Sequence, residues 1–568
     1  VAQPCYRSHF RQFVSRIGKL KPDMRSLLLK YQMSMLSRQF GDGMTDIVLI
    51  DGETLDYSDV IALVKGRKKA VFSDAARSKV QLARETVLGI INRGETAYGI
   101  NTGFGSLSKV GISSENLQQL QTNLIRSHAC GIGEDMHPED VLAMMVIRAN
   151  SLAKGHSGVR PMVVDLLLSC IHSGIAPKIP RIGSLGASGD LAPLAHLAMG
   201  LMGEGDGYIR STSTQQDQSM NGWRKTQMSA ALKISGLEPL QLEAKEGLSL
   251  INGTTQMCAW LSRALLEFDH LLLAADISLA LSVEALNGSH APFDARIHDV
   301  RNQPGQLAMS RRLRRLLDGG TIQAAHLNCE KVQDSYSLRC SPQVHGPAHE
   351  ALSDTLKTLS IELNSATDNP LVFPSPDNPG PHEVVSGGNF HGQILGIAAD
   401  RLSIIAHELA VISERRTNQL LDPAWSGLPA YLAKNSGLES GLMIVQYVAA
   451  AAIAEMHVSG NPATLSNVSV SNNKEDHVSM GATACYKLIQ QNQNLSRVIA
   501  CELICAVEGL RHNENHPSPA LLAAVNWVSE RVPELTCDRS MSQEIQGVSK
   551  GLIRGSLSQS VRSVLKFD

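Results

Sequence analysis

Along the second half of the chain, apolar residues recur in alternating steps of four and three. Leu261, Leu265, Phe268, Leu272, Ala275 and Leu279 form one stripe, and Ala398, Leu402, Ile405, Leu409 and Ile412 form another. That spacing lines one face of an α-helix, so each run predicts a long bundle helix. No strand-like alternation of comparable length occurs, and the predicted fold is mainly α, built on a bundle of long helices. Upstream, Asp51-Gly52-Glu53-Thr54-Leu55 offers helix starts, and Leu63 to Ile91 reads as mainly helical until Asn92-Arg93-Gly94 breaks the pattern. A further helix leads to Ile125-Arg126-Ser127-His128-Ala129-Cys130-Gly131, and the tail after Val507 is again helical. The most apolar runs, Leu271 to Leu286 and Tyr447 to Ala454, are cut or flanked by Asp276, Glu284, Gln446 and Glu455. They are too short to span a bilayer and predict buried bundle helices. The patterns divide the chain into an N-terminal extension (1–46), a domain over 47–250 and a helical-bundle domain with C-terminal helices over 251–568.

Composition narrows the function. With 52 basic and 54 acidic side chains among 568 residues, the formal charge is -2, which argues against nucleic acid or an anionic membrane as partner. Small neutral or zwitterionic ligands fit better. The 10 cysteines lie scattered from Cys5 to Cys537 with no C-x-x-C, and Cys501 and Cys505 are one helical turn apart. This predicts reduced thiols in a cytoplasmic protein, not a disulfide framework or a zinc site. The extension is rich in Lys and Arg against Asp23, Asp42 and Asp46, a composition shared with transit peptides. The plainer expectation is an added segment with some helix over Met24 to Arg38. The polar run Ser211 to Ser219 predicts a surface excursion.

The stretch with the most unusual chemistry is Gly183-Ser184-Leu185-Gly186-Ala187-Ser188-Gly189-Asp190-Leu191-Ala192-Pro193-Leu194. Without a Cβ on Gly189, its amide nitrogen can fold back on the carbonyl carbon of Ala187 and close a five-membered ring. Loss of water there, and of the Ser188 hydroxyl as a second water, would leave a methylidene-imidazolone, an electrophile no ordinary side chain offers. Taken alone, the stretch also fits a structural turn. It is neither a nucleophile elbow, since Asp190 stands where the last glycine belongs, nor a phosphate loop, since no Lys-Ser or Lys-Thr follows.

Other candidates are spread along the chain. Tyr98-Gly99-Ile100-Asn101-Thr102-Gly103-Phe104-Gly105 must be a loop, and Tyr98 in it is either a reacting group or a gap filler. His128 near a helix end fits a structural donor or a ligand contact. Asn252 before Gly253 can cap the helix that follows. Arg339 suits a carboxylate clamp, because guanidinium matches carboxylate with two parallel hydrogen bonds, or else a surface ion pair. His345 and His349 make a poor zinc site, with no Glu after His345 and Pro347 between them. In Ser471-Asn472-Asn473-Lys474-Glu475-Asp476-His477-Val478-Ser479-Met480, Glu475 can serve the helix dipole or a ligand.

The run Gly183 to His196 resembles the signature of the MIO-dependent aromatic amino acid ammonia-lyases and aminomutases, and at least four more motifs agree with it. The resemblance extends from about Ile47 to the C-terminus. It implies the long-helix central bundle of the ammonia-lyase (fumarase/aspartase-like) type, and cyclisation of Ala187, Ser188 and Gly189 into the MIO cofactor, with no metal. It implies Tyr98 as catalytic base, with Tyr336 a second catalytic residue. Asn252 is implied to orient substrate or cofactor, Gln333 to line the same site, Phe390 to neighbour the ring, and Arg339 to hold the carboxylate. Ser127-His128 is the pair typical of histidine-selective members, and Glu475 falls where their glutamate binds the imidazole, although Lys474 stands where that motif usually has glutamine. The resemblance thus implies conversion of L-histidine to urocanate and ammonia in a homotetramer with shared active sites. The alternatives are a tyrosine or phenylalanine ammonia-lyase or aminomutase of the same family, or a non-catalytic helical homologue.

Overall fold

The computed structural model describes residues 46–103, 112–211, 222–325 and 333–565. The helix expected over Met24 to Arg38, the loop end at Phe104-Gly105 and most of the Ser211 to Ser219 run lie outside the described residues.

A parallel strand pair opens the described chain, β1 (Ile47–Ile50) against β2 (Lys69–Phe72). β2 interrupts the mainly helical stretch expected over Leu63 to Ile91. Alternation of exposed and buried residues in Lys69-Ala70-Val71-Phe72 lets Ala70 and Phe72 enter the core while the backbone pairs with β1, and helix resumes only at α1 (Asp74–Asn92), capped by Ser73. Then come α2 (Leu117–His128), α3 (Pro138–Ala153) and α4 (Leu191–Leu201). A short strand, Pro180–Ile182, pairs antiparallel with Ile132–Asp135 and delivers the chain to Gly183.

The predicted stripes are the centres of much longer helices. They fall on α5 (Thr255–Ala285) and on α8 (Gln393–Leu421), the latter following the short α6 (Tyr336–Arg339) and α7 (Ser341–Leu363). After α9 (Met443–Val458) comes α10 (Gly481–Leu510), which is buried on nearly every side like α5, and further helices fill the tail after Val507 as expected. Polar side chains fasten the bundle internally. Glu502 of α10 accepts from Ser282 of α5 at 2.7 Å and from Ser413 of α8 at 2.6 Å, and pairs with Arg416 at 2.5 Å, both partners of that ion pair being fully buried. With Lys487 of α10 on Asp400 of α8 at 2.5 Å, these bonds set α8 and α10 parallel.

One helix expected to be buried is buried on one side alone. The run Tyr447 to Ala454 lies within α9, where Ile444, Tyr447 and Val448 are exposed. The opposite face, Val445, Ala449, Ala452 and Met456, is buried in the core. Met443–Leu465 is also the one segment among the described residues long and apolar enough to cross a membrane, with a mean hydropathy of 1.2.

Candidate active site

The Gly183–Asp190 loop is pinned on both sides of Ala187-Ser188-Gly189. Before the tripeptide, the Leu185 carbonyl accepts from Met480 N at 2.8 Å, and the Gly186 carbonyl accepts from Gly392 N at 3.1 Å and Ser479 Oγ at 3.0 Å. After it, Asp190 N donates to the Gly253 carbonyl at 2.8 Å. Gly189 has φ +74°, and a Cβ there would collide with the Gly253 carbonyl oxygen, so no other residue fits. Ala187 and Ser188 are both buried. The segment that would cyclise is the part of the loop left between two clamps.

Each clamp is a helix start. α4 begins at Leu191 directly after the loop, α5 two residues after Gly253, α8 next to Gly392 and α10 next to Met480. Four N-termini therefore converge on Ala187-Ser188-Gly189. Each carries the partial positive charge of unpaired N–H groups, a field that favours electron-rich species at the tripeptide. Asp190 is the residue that sequence reasoning missed. Its Oδ2 accepts from Gln256 N at 2.7 Å and Met257 N at 3.1 Å, and its Oδ1 from Ser184 Oγ at 2.7 Å. Burial pushes its carboxyl up to about 6, against the pull of these hydrogen bonds. It caps α5, the role expected of Asn252. Asn252 instead ends the preceding helix, its Nδ2 donating to the Leu248 carbonyl at 3.4 Å, and so stands buried beside Gly253. The place of Asp190 directly before α4 signals a cap for that helix, yet its side chain makes no bond there and serves α5 instead.

Glu475 reaches the tripeptide from far along the chain. Ser188 Oγ donates to its Oε1 at 2.9 Å, while its Oε2 is buried with no hydrogen-bond partner among the described residues. Glu475 lies outside the first turn of α10, so a dipole role is not the one the geometry gives it. Phe390 is half-buried in the loop that ends at Gly392. His128 is the last residue of α2; burial pushes its imidazole below its ordinary range, and Ser127 Oγ sits 3.1 Å from its Nδ1. Three residues on, Gly131 N donates to His196 Nε2 at 3.1 Å, and Gly131 backs onto Gly183, so α2 ends against the start of the loop. Tyr98 is half-buried, and its neighbour Gly99 packs on Leu248, in the helix that leads to Asn252.

Three expected site residues are elsewhere. Gln333 and Tyr336 are exposed, and Arg339 lays its guanidinium over the Tyr336 ring at 5.1 Å while Nε donates to the Asp334 carbonyl at 3.0 Å. Gln333 and Asp334 border a cavity of about 190 Å³ with Leu286, just past α5, and Gln419, near the end of α8. Ser188 sits at the opposite end of those helices. The 29 residues of α8, at about 1.5 Å each, put the two ends on the order of 40 Å apart. His345 and His349 make no site of their own: both bond the buried Asp276, at 2.8 Å and 3.0 Å.

Residues 55–530 match the family described as aromatic amino acid lyase. The histidine ammonia-lyase of Anaeromyxobacter sp. (strain K) is 43% identical over 516 residues, covering 90% of this chain and 99% of its own. That of Deinococcus radiodurans is 44% identical over 508 residues, covering 89% and 93%. Among solved structures, histidine ammonia-lyase from Trypanosoma cruzi matches with a TM-score of 0.82 at 38% identity, covering 91% of this chain and 96% of that one. Tyrosine aminomutase from Streptomyces globisporus matches with a TM-score of 0.83 at 34% identity, covering 92% and 99%. The mainly helical bundle is the fold these enzymes share.

Proposed function

The chain belongs to the aromatic amino acid lyase family and is a carbon–nitrogen lyase, and from that premise we propose that it eliminates ammonia from L-histidine to give urocanate. The observation that carries the choice of substrate is Glu475. A buried carboxylate oxygen without a donor is costly, and a ligand that supplies one is favoured accordingly. The imidazole of histidine brings ring nitrogens that can donate and can carry positive charge. A phenyl ring brings nothing comparable. The Ser127-His128 pair and the histidine ammonia-lyases among the relatives support the same reading.

Closed into a methylidene-imidazolone, Ala187-Ser188-Gly189 supplies the electrophile that turns an amine into a good leaving group. The double clamp, and a Gly189 that admits no side chain, fit such a ring. Around it, Tyr98 takes the β-proton of the substrate, and His128 and Glu475 hold the imidazole. Asn252 orients the amine end and Phe390 packs beside the ring. Arg339 holds the carboxylate through paired hydrogen bonds, with Gln333 and Tyr336 beside it. Fixing both ends of the substrate converts binding energy into orientation.

Arg339 can play that part only from another subunit, since within one chain it is a bundle's length from Ser188. The site is then shared between subunits, and the family resemblance makes the assembly a homotetramer. Exposed Ile394, Ile397 and Ile404 on α8 and Ile444, Tyr447 and Val448 on α9 offer the apolar surface such an assembly buries. No metal enters this scheme. A cytoplasmic setting agrees with the free cysteines among the described residues.

The test offers L-histidine, L-tyrosine and L-phenylalanine in parallel to the purified protein and follows product absorbance and ammonia. Turnover of histidine alone is expected. A preference for tyrosine or phenylalanine overturns the substrate, and a β-amino acid product points to an aminomutase.

A further inference from the structure

Making the ring requires Ser188 to lose its hydroxyl, and hydroxide is too basic to leave without a proton. The group within reach of that oxygen is a carboxyl from 287 residues further along the chain, with Ser188 Oγ and Glu475 Oε1 2.9 Å apart. The chain goes to some lengths to put it there. Ser471, Asn472 and Asn473 are three consecutive non-glycine residues in left-handed backbone, with φ of 55°, 53° and 62°. The turn they make closes where Val470 N donates to the Glu475 carbonyl at 2.9 Å. Left-handed backbone costs an ordinary residue roughly 1–2 kcal/mol, less for asparagine, and persists where the surroundings demand it. On the other side of Glu475, Val478 N is held by Asn467 Oδ1 at 2.9 Å, and Ser479 Oγ is fastened to the Gly186 carbonyl. Glu475 is thus fixed relative to the loop before any substrate arrives.

We propose that Glu475 is the acid that protonates the departing Ser188 hydroxyl while the ring is made, a role in maturation separate from any contact with substrate. The inference rests on reading Ala187-Ser188-Gly189 as ring-forming. In the first step the Gly189 nitrogen bonds to the Ala187 carbonyl carbon, and that oxygen leaves as water with the protons of the Gly189 and Ser188 amides. In the second, the Ser188 Cα–H bond breaks, its proton passing to water and its electron pair forming the Cα=Cβ bond. The Cβ–Oγ bond breaks in turn, and Oγ, across the same 2.9 Å contact, takes the proton that Glu475 carries in its protonated form and departs as the second water. Nothing is oxidised or reduced, and Glu475 is left as a carboxylate.

The experiment synthesises the full chain in a cell-free system and samples intact mass and near-ultraviolet absorbance over time, for wild type, Glu475→Gln, Glu475→Asp and Ser188→Ala. Histidine turnover is measured separately and expressed per ring formed. Wild type is expected to reach a deficit of two waters. Glu475→Gln should accumulate a species lacking only one and lose the second about a hundredfold more slowly, the scale of a lost general acid. Glu475→Asp should recover part of that rate. A Glu475→Gln chain that loses both waters at the wild-type rate, whatever its turnover, overturns the proposal. Should that variant fail to fold, Glu475→Asp decides alone: a slowed second water supports the role, and wild-type speed removes it. A wild-type chain with no two-water deficit overturns the ring reading itself, a result distinct from either.

Discussion

The two ends of the central bundle are built from the same three helices and could hardly differ more. At the N-terminal end of α5, α8 and α10, every backbone clamp on Gly186 and Asp190 comes from the same chain, and Asp190, Asn252 and Ser479 are buried. At the C-terminal end, Tyr336 is 69% exposed and Trp425 52%. Yet the chemistry that the proposed reaction needs is divided between them, an electrophile at one end and a carboxylate clamp at the other. On the proposed reading, one end must be right before substrate arrives, because it has to carry out chemistry on itself. On the same reading the other need only be presented, since its work would begin in a neighbour's site.

The sharpest way to break this comparison is to disable each end in a different chain. Ser188→Ala should lose essentially all turnover, and Arg339→Ala on the order of a hundredfold or more through lost orientation. Co-expressed in equal amounts, the two inactive parents should yield mixed tetramers with about a quarter of wild-type activity, the chance that a shared site draws both intact residues. Activity no higher than in the parents would place both residues' work inside one chain and end the case for shared sites.

A second test asks whether the packing of the two ends differs as the geometry says. Gly253, at φ +142°, would set a Cβ 2.5 Å from Arg148 Nη1 and 2.8 Å from Thr367 Oγ1, deep in the clamp. Gly427, beside the exposed end, has φ +69° but open space around it. Gly253→Ala should therefore cost several kcal/mol, through steric collision added to backbone strain, and lower the unfolding temperature and the yield together. Gly427→Ala should cost only about 1–2 kcal/mol for its left-handed backbone. Equal losses from the two would mean the clamp is no tighter than the free end.

What the sequence disclosed follows the same division. The Ala187-Ser188-Gly189 tripeptide, the loop at Tyr98 and the Glu475 segment stood out through their resemblance to family motifs, since composition alone left each open to a structural reading. The stripes at Leu261 and Ala398 announced α5 and α8, since a helix facing one core keeps its period. Proximity was not legible. Nothing local to Glu475 says that it meets Ser188, and the periodicity carries no sense of direction, so the parallel run of α5, α8 and α10 was invisible. Apolar character also misled at Tyr447 to Ala454. A helix buried on one side and a helix buried all round can have the same apolar composition, and only the fold shows Val445, Ala449, Ala452 and Met456 inside with Ile444, Tyr447 and Val448 outside. β2 was missed because four residues between two helices are too few to display a period of two. Asn252 was preferred as the cap of α5 for being adjacent in sequence, whereas Asp190 reaches the same N–H groups through space.

The most diagnostic sign of how each carboxyl is held is the pH dependence carried by two buried aspartates that touch α5. Burial raises Asp190 to about 6, whereas in the unfolded chain it would ionise near 3.8. Between about pH 4 and 6 the folded chain keeps a proton that the unfolded chain releases, so this stabilising contribution is complete below about pH 4 and lost as pH rises to about 6. For a shift of roughly two units it amounts to at most about 3 kcal/mol. Asp276, further along α5, runs the other way. Burial pushes it up, but His349, His345 and Arg312 outweigh burial and hold its carboxyl well below the usual range. Its contribution is present above about pH 4 and lost as acid protonates the unfolded chain first. Unfolding temperatures of wild type, Asp190→Asn and Asp276→Asn across this range should show the wild type's margin over Asp190→Asn shrinking from pH 4 to 6. Its margin over Asp276→Asn should fall only on acidification below about pH 4. If both margins moved in the same direction, the two aspartates would be held by the same kind of force, and the contrast between a capping carboxyl kept by burial and a paired one kept by charge would fail.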